Sequence, residues 1–260
     1  MAPGDLDVRV ISMHTEVPPA IRRVFPTAMV IAATDLRAAS PRVLHTQGVI
    51  TDDALESIEQ GRRYHRELSS CGGVGLWYSV CGALAQGSRP LLLFEEDCVP
   101  SPQLPLAVQR LLDLAPDAEG AFDLAVFGPL RTDGFLVSEA PAHRGFGWCD
   151  GYFWGMHAVL YTADGRARAR AMLRGPVDAQ LDAKVAWLAL YGQPVRRRPR
   201  LRVLLQCPGE PLARQLSHPS SLQSDSPAPL GALGALGDLG ARAWTATLRV
   251  LRGDGGRLPG

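Results

Sequence analysis

The stretch Leu91-Leu92-Leu93-Phe94-Glu95-Glu96-Asp97 limits the folds open to this chain more than any other. Four large apolar residues read as a short buried strand, and Val99-Pro100-Ser101-Pro102 beyond them supplies turn chemistry. The acids then sit at the carboxyl end of that strand, where open α/β sheets bind ligands. Adjacent carboxylates repel one another, and a divalent metal between them would relieve the repulsion. On an extended chain Glu95 and Asp97 project to one side and Glu96 to the other. The same acids could instead form a solvated strand end that caps the following helix.

The rest of the chain fits around such a strand. Val8 to Met13 alternates as a strand, Pro18 to Val24 suits a short helix, and Ala28 to Ala33 is a second strand ending at Thr34-Asp35. Strand, helix, strand is an α/β opening. Helical patterns follow at Asp53 to Leu68, Val74 to Gln86, Pro102 to Leu114, Asp164 to Leu173 and Asp178 to Leu190. Further strands are expected at Phe122 to Phe127 and Tyr152 to Tyr161. The alternation predicts a mixed, mainly parallel sheet with helices on both faces. Composition shifts near Pro208, where Pro, Ser and Gly accumulate and glycine recurs every third position from Leu230 to Gly237. Glycine at that spacing opposes a helix. The expected organisation is one domain over residues 1–207 and a linker-like tail over 208–260, with a possible short helix from Ala241 to Leu251.

Composition excludes several classes of function. A net charge of +1 gives no electrostatic case for a nucleic-acid partner. Lys184 is the one lysine, so the positive charge is nearly all guanidinium, which suits phosphate recognition. The five cysteines (Cys71, Cys81, Cys98, Cys149, Cys207) are odd in number and form no C-x-x-C pair, so neither a zinc site nor a disulfide framework is indicated. No apolar run reaches the roughly 18 residues of a transmembrane segment, and the amino terminus lacks the pattern of a signal peptide. A cytoplasmic location is the default expectation.

Several constellations could carry chemistry. Gly72-Gly73-Val74-Gly75 invites a dinucleotide-binding reading, but the sixth position is Tyr78 and a polar helical stretch precedes it where a strand is required. These glycines more simply let a helix amino terminus approach a backbone or ligand. In Pro176-Val177-Asp178-Ala179-Gln180-Leu181-Asp182, a helix starting near Asp178 would put Asp178 and Asp182 on one face. Such a pair suits a base beside a metal or hydroxyl contact, or equally an N-cap with a first-turn acid. His157 could complete a metal shell or serve as a core histidine. Arg196-Arg197-Arg198-Pro199-Arg200 is a short basic run, able to attract a diphosphate or an anionic acceptor. Trp148, Tyr152, Phe153 and Trp154 could line an acceptor groove or belong to the core.

Taken in order, these features resemble glycosyltransferase family 25, the group of lipopolysaccharide sugar transferases and collagen galactosyltransferase domains. Gly72 to Ser79 matches the family's glycine-bounded helix start, Leu91 to Asp97 its strand ending in acids, Gly155-Met156-His157-Ala158 its Gly-x-x-Ala strand, and Pro176-Val177-Asp178 its Pro-Ile/Val-Asp. Ala33-Thr34-Asp35 resembles the family's Ala-Val-Asp turn, and the likeness spans roughly residues 8–207. The sequence departs from the pattern at Leu76 (Cys in the family), Val80 (His) and Glu96 (Asp).

The resemblance implies a GT-A-type nucleotide-sugar-binding fold, a divalent metal (manganese or magnesium), a UDP-sugar donor and a glycan, lipid-linked or protein acceptor. A nucleoside diphosphate leaving group gathers negative charge that a metal stabilises. Inversion needs a base for the acceptor's proton, and a carboxylate is suitable. The expected roles are Glu95, Asp97 and His157 at the metal, Asp97 foremost, with Glu96, Gly73, Gly75 and Ser79 at the nucleotide. Asp178 is the leading base and Asp182 the second. The departures also admit a catalytically silent relative that binds a nucleotide sugar or another protein. A metal-dependent phosphohydrolase built on the same acidic strand is a third possibility.

Overall fold

The computed structural model describes residues 6–64, 66–115, 121–132, 137–192 and 200–216. Its elements run β1 (Asp7–Ser12), α1 (Pro19–Val24), β2 (Met29–Ala32), α2 (Pro41–Thr46), α3 (Asp52–Gln60), α4 (Cys71–Ala85), β3 (Leu91–Glu95), β4 (Cys98–Pro100), α5 (Leu104–Leu114), β5 (Leu124–Val126), β6 (Arg131–Thr132), β7 (Val137–Glu139), β8 (Phe146–Cys149), β9 (Phe153–Trp154), β10 (Ala158–Tyr161), α6 (Ala163–Met172), α7 (Leu181–Tyr191), β11 (Val203–Gln206) and β12 (Ala213–Gln215). Eight strands form one sheet in the order β2-β1-β3-β10-β5-β11-β8-β7. β2, β1 and β3 are parallel, β10 is antiparallel to both β3 and β5, β11 returns parallel to β5, and β8 and β7 follow antiparallel. Only β10 and β8 run against the rest, which is the mixed, mainly parallel α/β sheet that the sequence predicts.

Alternation along the strands builds two cores. Ile11, Leu91, Leu93, Val126, Val159 and Leu205 pack with α4, α6 and α7 on one face. Val10, Leu92, Phe94, Ala125, Leu160 and Leu204 pack with α1 and α5 on the other. All four apolar residues of β3 are at most 4% exposed, so this strand is sealed on both sides. β1 lies between β2 and β3: the chain leaves β1 to one side and returns on the other. Strand order reverses there, and the crevice outside the carboxyl ends of β1 and β3 is where such sheets take ligands.

Helix α4 is held at both ends. At its start, a Cβ on Gly75 would lie 2.2 Å from the Thr34 carbonyl oxygen, so only glycine lets the helix rest on the loop after β2. Ser79 fixes the same contact, its hydroxyl donating to the Gly75 carbonyl and accepting from Thr34 N, both at 2.8 Å. A Gly75→Ala protein is expected to be about 1–3 kcal/mol less stable. Urea unfolding measures this, and an unchanged midpoint would show that the contact yields freely. At the other end, buried Arg166 of α6 donates to the carbonyls of Ala83, which also accepts from Gln86 N, and Leu84, in the last turn of α4 where carbonyls run out of helical partners.

Several boundaries differ from the sequence expectations. The acidic strand stops at Glu95, with Glu96 and Asp97 in a turn before β4, so their side chains no longer alternate. The helix expected over 53–68 ends at Gln60, because Gly61 adopts φ +85°. Tyr152 to Tyr161 is two strands, β9 and β10, broken at Gly155 with φ +90°. Asp178 lies outside α7, whose N-cap is Gln180, because Val177 is extended and bridges Ile50. The tail begins later than residue 208, since β12 pairs antiparallel with β4. The Arg196 to Pro199 part of the basic run, the glycine repeat of 230–237 and the possible helix at 241–251 lie outside the described residues. No helix among the described residues is long and apolar enough to cross a membrane.

Candidate active site

At the carboxyl edge of the sheet, β3, β9 and its following turn, α4 and the start of α7 enclose a cleft of about 170 Å³. Glu95, Asp182, Arg62, Gln180 and Gln215 are its polar lining, with Gly73, Leu130, Trp154, Gly155 and Met156 among the remainder. The burial of β3 brings Glu95 here, on the face shared with α4 and α7. Asp182 arrives from the first turn of α7, and its carboxylate accepts from Gly155 N (3.2 Å) and Ala183 N (2.7 Å). A Cβ on Gly155 would meet the Leu130 side chain at 2.8 Å, so glycine is needed both for the φ and for the space.

The two carboxylates sit in unequal surroundings. No group among the described residues donates a hydrogen bond to the Glu95 side chain. Burial first, then the charges of Asp97, Asp182 and Glu96, push its pKa up to about 8. Asp182 is also raised by burial, but the N–H groups of Gly155 and Ala183 and the Arg62 charge oppose the rise. A carboxylate surrounded by other carboxylates, with no donor of its own, favours either a proton or a cation.

The other expected site residues are placed differently. Glu96 turns back to β1, accepting from Ser12 Oγ (2.6 Å) and Met13 N (3.0 Å), and so locks β1 to the end of β3. Asp97 accepts from Gln215 Nε2 (2.8 Å) of β12, and its carbonyl accepts from Leu216 N (2.9 Å). His157 is 1% exposed on the opposite side of the chain from Met156. Its ring nitrogens close no hydrogen bond of good geometry, although the Ala213 backbone lies against the ring. Burial holds this imidazole below its ordinary pKa, with the Ala213 backbone and Asp97 opposing the shift. Among the described residues no group of three or more His, Cys, Asp or Glu side chains is placed to hold a metal ion. Glu95, Asp97 and His157 therefore do not form the expected metal triad: Asp97 bonds to Gln215, and its charge is still the first that Glu95 feels.

Asp178 is bonded to Lys184 Nζ at 2.5 Å and does not line the cleft, so the expected pairing of Asp178 with Asp182 fails. Gly73 lines the cleft. Gly75 and Ser79 serve instead to seat α4 on the Thr34 loop. Asp35 is exposed and paired with Arg37 at 2.8 Å. Of the aromatic group, Trp154 reaches the cleft. Phe153 is core, Trp148 carries the Arg202 guanidinium over its ring, and Tyr152 packs at the core edge beside Arg66. Sequence reasoning missed Arg62, Gln180 and Gln215. Gln180 lies within the Pro176 to Asp182 constellation, where attention went to the two acids, whereas Arg62 and Gln215 lie in no motif that could have signalled them.

Compared with known proteins, the chain matches no protein-family model and no curated protein sequence. Fold and site together define an α/β protein with an acidic cleft at the carboxyl edge of its sheet.

Proposed function

We propose that this protein is a metal-dependent glycosyltransferase of GT-A type, related to glycosyltransferase family 25, that moves a hexose from a UDP-sugar to an acceptor hydroxyl with inversion. One observation carries this reading: Glu95 from a strand end and Asp182 from a helix start converge on one cleft beside the reversal of strand order. The ordered motifs from Gly72 to Asp178 support it as well. The cleft is smaller than the roughly 300–1,000 Å³ of pockets that enclose a whole drug-sized ligand. It therefore takes the reacting part of the donor and acceptor, with the nucleoside outside it.

The donor set suits magnesium or manganese rather than zinc, because a hard cation of this kind is held by one or two carboxylates together with substrate phosphates. Glu95 would hold it, since it has no other donor and stands among like charges. When bound, the ion would neutralise charge on the departing diphosphate. Asp182 takes the proton of the acceptor hydroxyl, its carboxylate aimed by Gly155 N and Ala183 N. Burial raises its affinity for that proton. Trp154 and Leu130 offer apolar surface to a sugar face and exclude water.

Purified protein supplied with UDP-glucose or UDP-galactose and manganese is expected to release UDP. Asp182→Asn is expected to lower the rate by about 10²-fold or more with donor binding retained, the range typical of a lost general base. Turnover by Asp182→Asn equal to that of the unaltered protein would remove the base assignment, and absence of both UDP binding and UDP release would remove the reading. Asp178 held by Lys184, and Glu96 used to lock β1, favour a second reading. In it the protein is a silent relative, and it binds the nucleotide sugar without turning it over.

A further inference from the structure

We infer that Arg62 selects an acidic acceptor, taking a carboxylate or phosphate carried by the sugar whose hydroxyl faces Asp182. This deepens the glycosyltransferase reading and rests on it. Gly61 ends α3 at φ +85° and sends two successive arginines in different directions. Arg63 meets Glu56 and Glu67, at 3.7 and 3.8 Å. Glu67 also accepts from the backbone N–H groups of Arg63 (2.6 Å) and Tyr64 (3.1 Å), which closes the turn. Arg62 instead lines the cleft and is the one cation among its described lining residues.

Arg62 makes no hydrogen bond or ion pair with any described residue, although its charge is felt at Asp182. A guanidinium there merely to neutralise Asp182 would be expected to grip it in a fork, the strong geometry for such a pair. Asp182 takes its bonds from two backbone N–H groups instead, and no described residue takes any of the five guanidinium donors. The loop is anchored, because Gln180 N donates to the Arg66 carbonyl (2.8 Å) and Gln180 Nε2 to Ser69 Oγ (3.3 Å). These contacts tie the loop after α3 to the start of α7. Arg62 shares the cleft with Asp182, Glu95 and Trp154. A ligand that satisfies these groups has an anion for Arg62, a neighbouring hydroxyl for Asp182 and a C–H face for Trp154.

NMR or calorimetric titration of glucose, glucuronate and glucose 6-phosphate, alongside UDP with manganese, tests the assignment. The unaltered protein is expected to bind one of the acidic sugars about 10-fold or more tighter than glucose, the scale of one charge-assisted contact. The preferred sugar tells carboxylate from phosphate. Arg62→Gln is expected to erase the preference and leave UDP affinity and the melting midpoint unchanged, with Arg62→Lys in between. A preference that survives Arg62→Gln overturns the inference. So does a fall in UDP affinity with no acidic preference, which would make Arg62 a contact of the donor diphosphate. A lowered midpoint in Arg62→Gln overturns it too, by marking a structural role. An Arg62-dependent acidic preference without UDP binding or UDP release would leave Arg62 as an anion contact, discard the nucleotide-sugar reading and overturn the acceptor role that rests on it.

Discussion

An Arg166→Met protein is expected to lose about 3–5 kcal/mol of stability, the range for removing one partner from a buried, hydrogen-bonded charge pair. Arg166 is 1% exposed and donates to the carbonyls of Ala83 (2.8 Å), Leu84 (3.1 Å) and Arg89 (3.1 Å) and to Asp7 Oδ2 (3.3 Å). Methionine fills much of the volume and replaces none of these donors. The Leu84 carbonyl would lose its Arg166 donor at the end of α4, a cost of about 1–3 kcal/mol if it finds no water, while the Ala83 carbonyl would keep only the long bond from Gln86 N (3.3 Å). Asp7, 5% exposed, would keep Arg9 Nε at 2.5 Å, which limits the loss there. Chemical denaturation of the full chain measures the change. A midpoint within about 0.5 kcal/mol of the unaltered protein, the range of ordinary surface substitutions, would show that this network contributes specificity without stability.

The second large effect concerns Glu95 and is read by pH. Its pKa stands near 8 in the fold, above the 4.5 of a free glutamate. Between these values the folded protein retains a proton that the unfolded chain releases. The contribution of Glu95 to stability is therefore complete below about pH 4.5 and disappears as pH rises through about 8. The melting midpoint is expected to fall from pH 5 to pH 8 without divalent cation. In a domain of this size each kcal/mol moves the midpoint by about 2–4 °C, so the change is measurable. Manganese is expected to raise the midpoint more at pH 8 than at pH 5, where it must displace the proton. Glu95→Gln, which can neither ionise nor hold the cation well, is expected to flatten both responses. A manganese shift of equal size in Glu95→Gln would place the cation elsewhere and withdraw Glu95 from that role.

How far the sequence led differs from element to element. β3 was legible because four consecutive large apolar residues have few alternatives to a buried strand, and its acids were rightly placed at the carboxyl edge of a sheet. The helix expected over 53–68 was too long because the pattern of polar residues continues past Gly61, whose positive φ ends the helix. The run from Tyr152 to Tyr161 reads as one strand by composition, yet Gly155 turns there so that its N–H meets Asp182. Asp178 reads as the leading base because Pro176-Val177-Asp178 resembles the Pro-Ile/Val-Asp of glycosyltransferase family 25. Pairing of Val177 with Ile50 keeps the backbone extended, delays the helix to Leu181 and leaves Asp182 in the cleft.

The amino-acid sequence determined the class of architecture, since the period of apolar residues dictates which segments become strands or helices and which side faces the core. It also determined that Glu95 would stand at the carboxyl edge of the sheet. Tertiary structure alone decided the company Glu95 keeps. Asp182, Arg62 and Gln215 come from segments distant in sequence, and Asp97, two residues away, bonds to Gln215 instead of joining Glu95 in the cleft. Local pattern fixes the direction of a side chain only while the backbone stays regular. At a turn such as Glu96-Asp97 the direction is set by whichever distant donor satisfies the buried polar group.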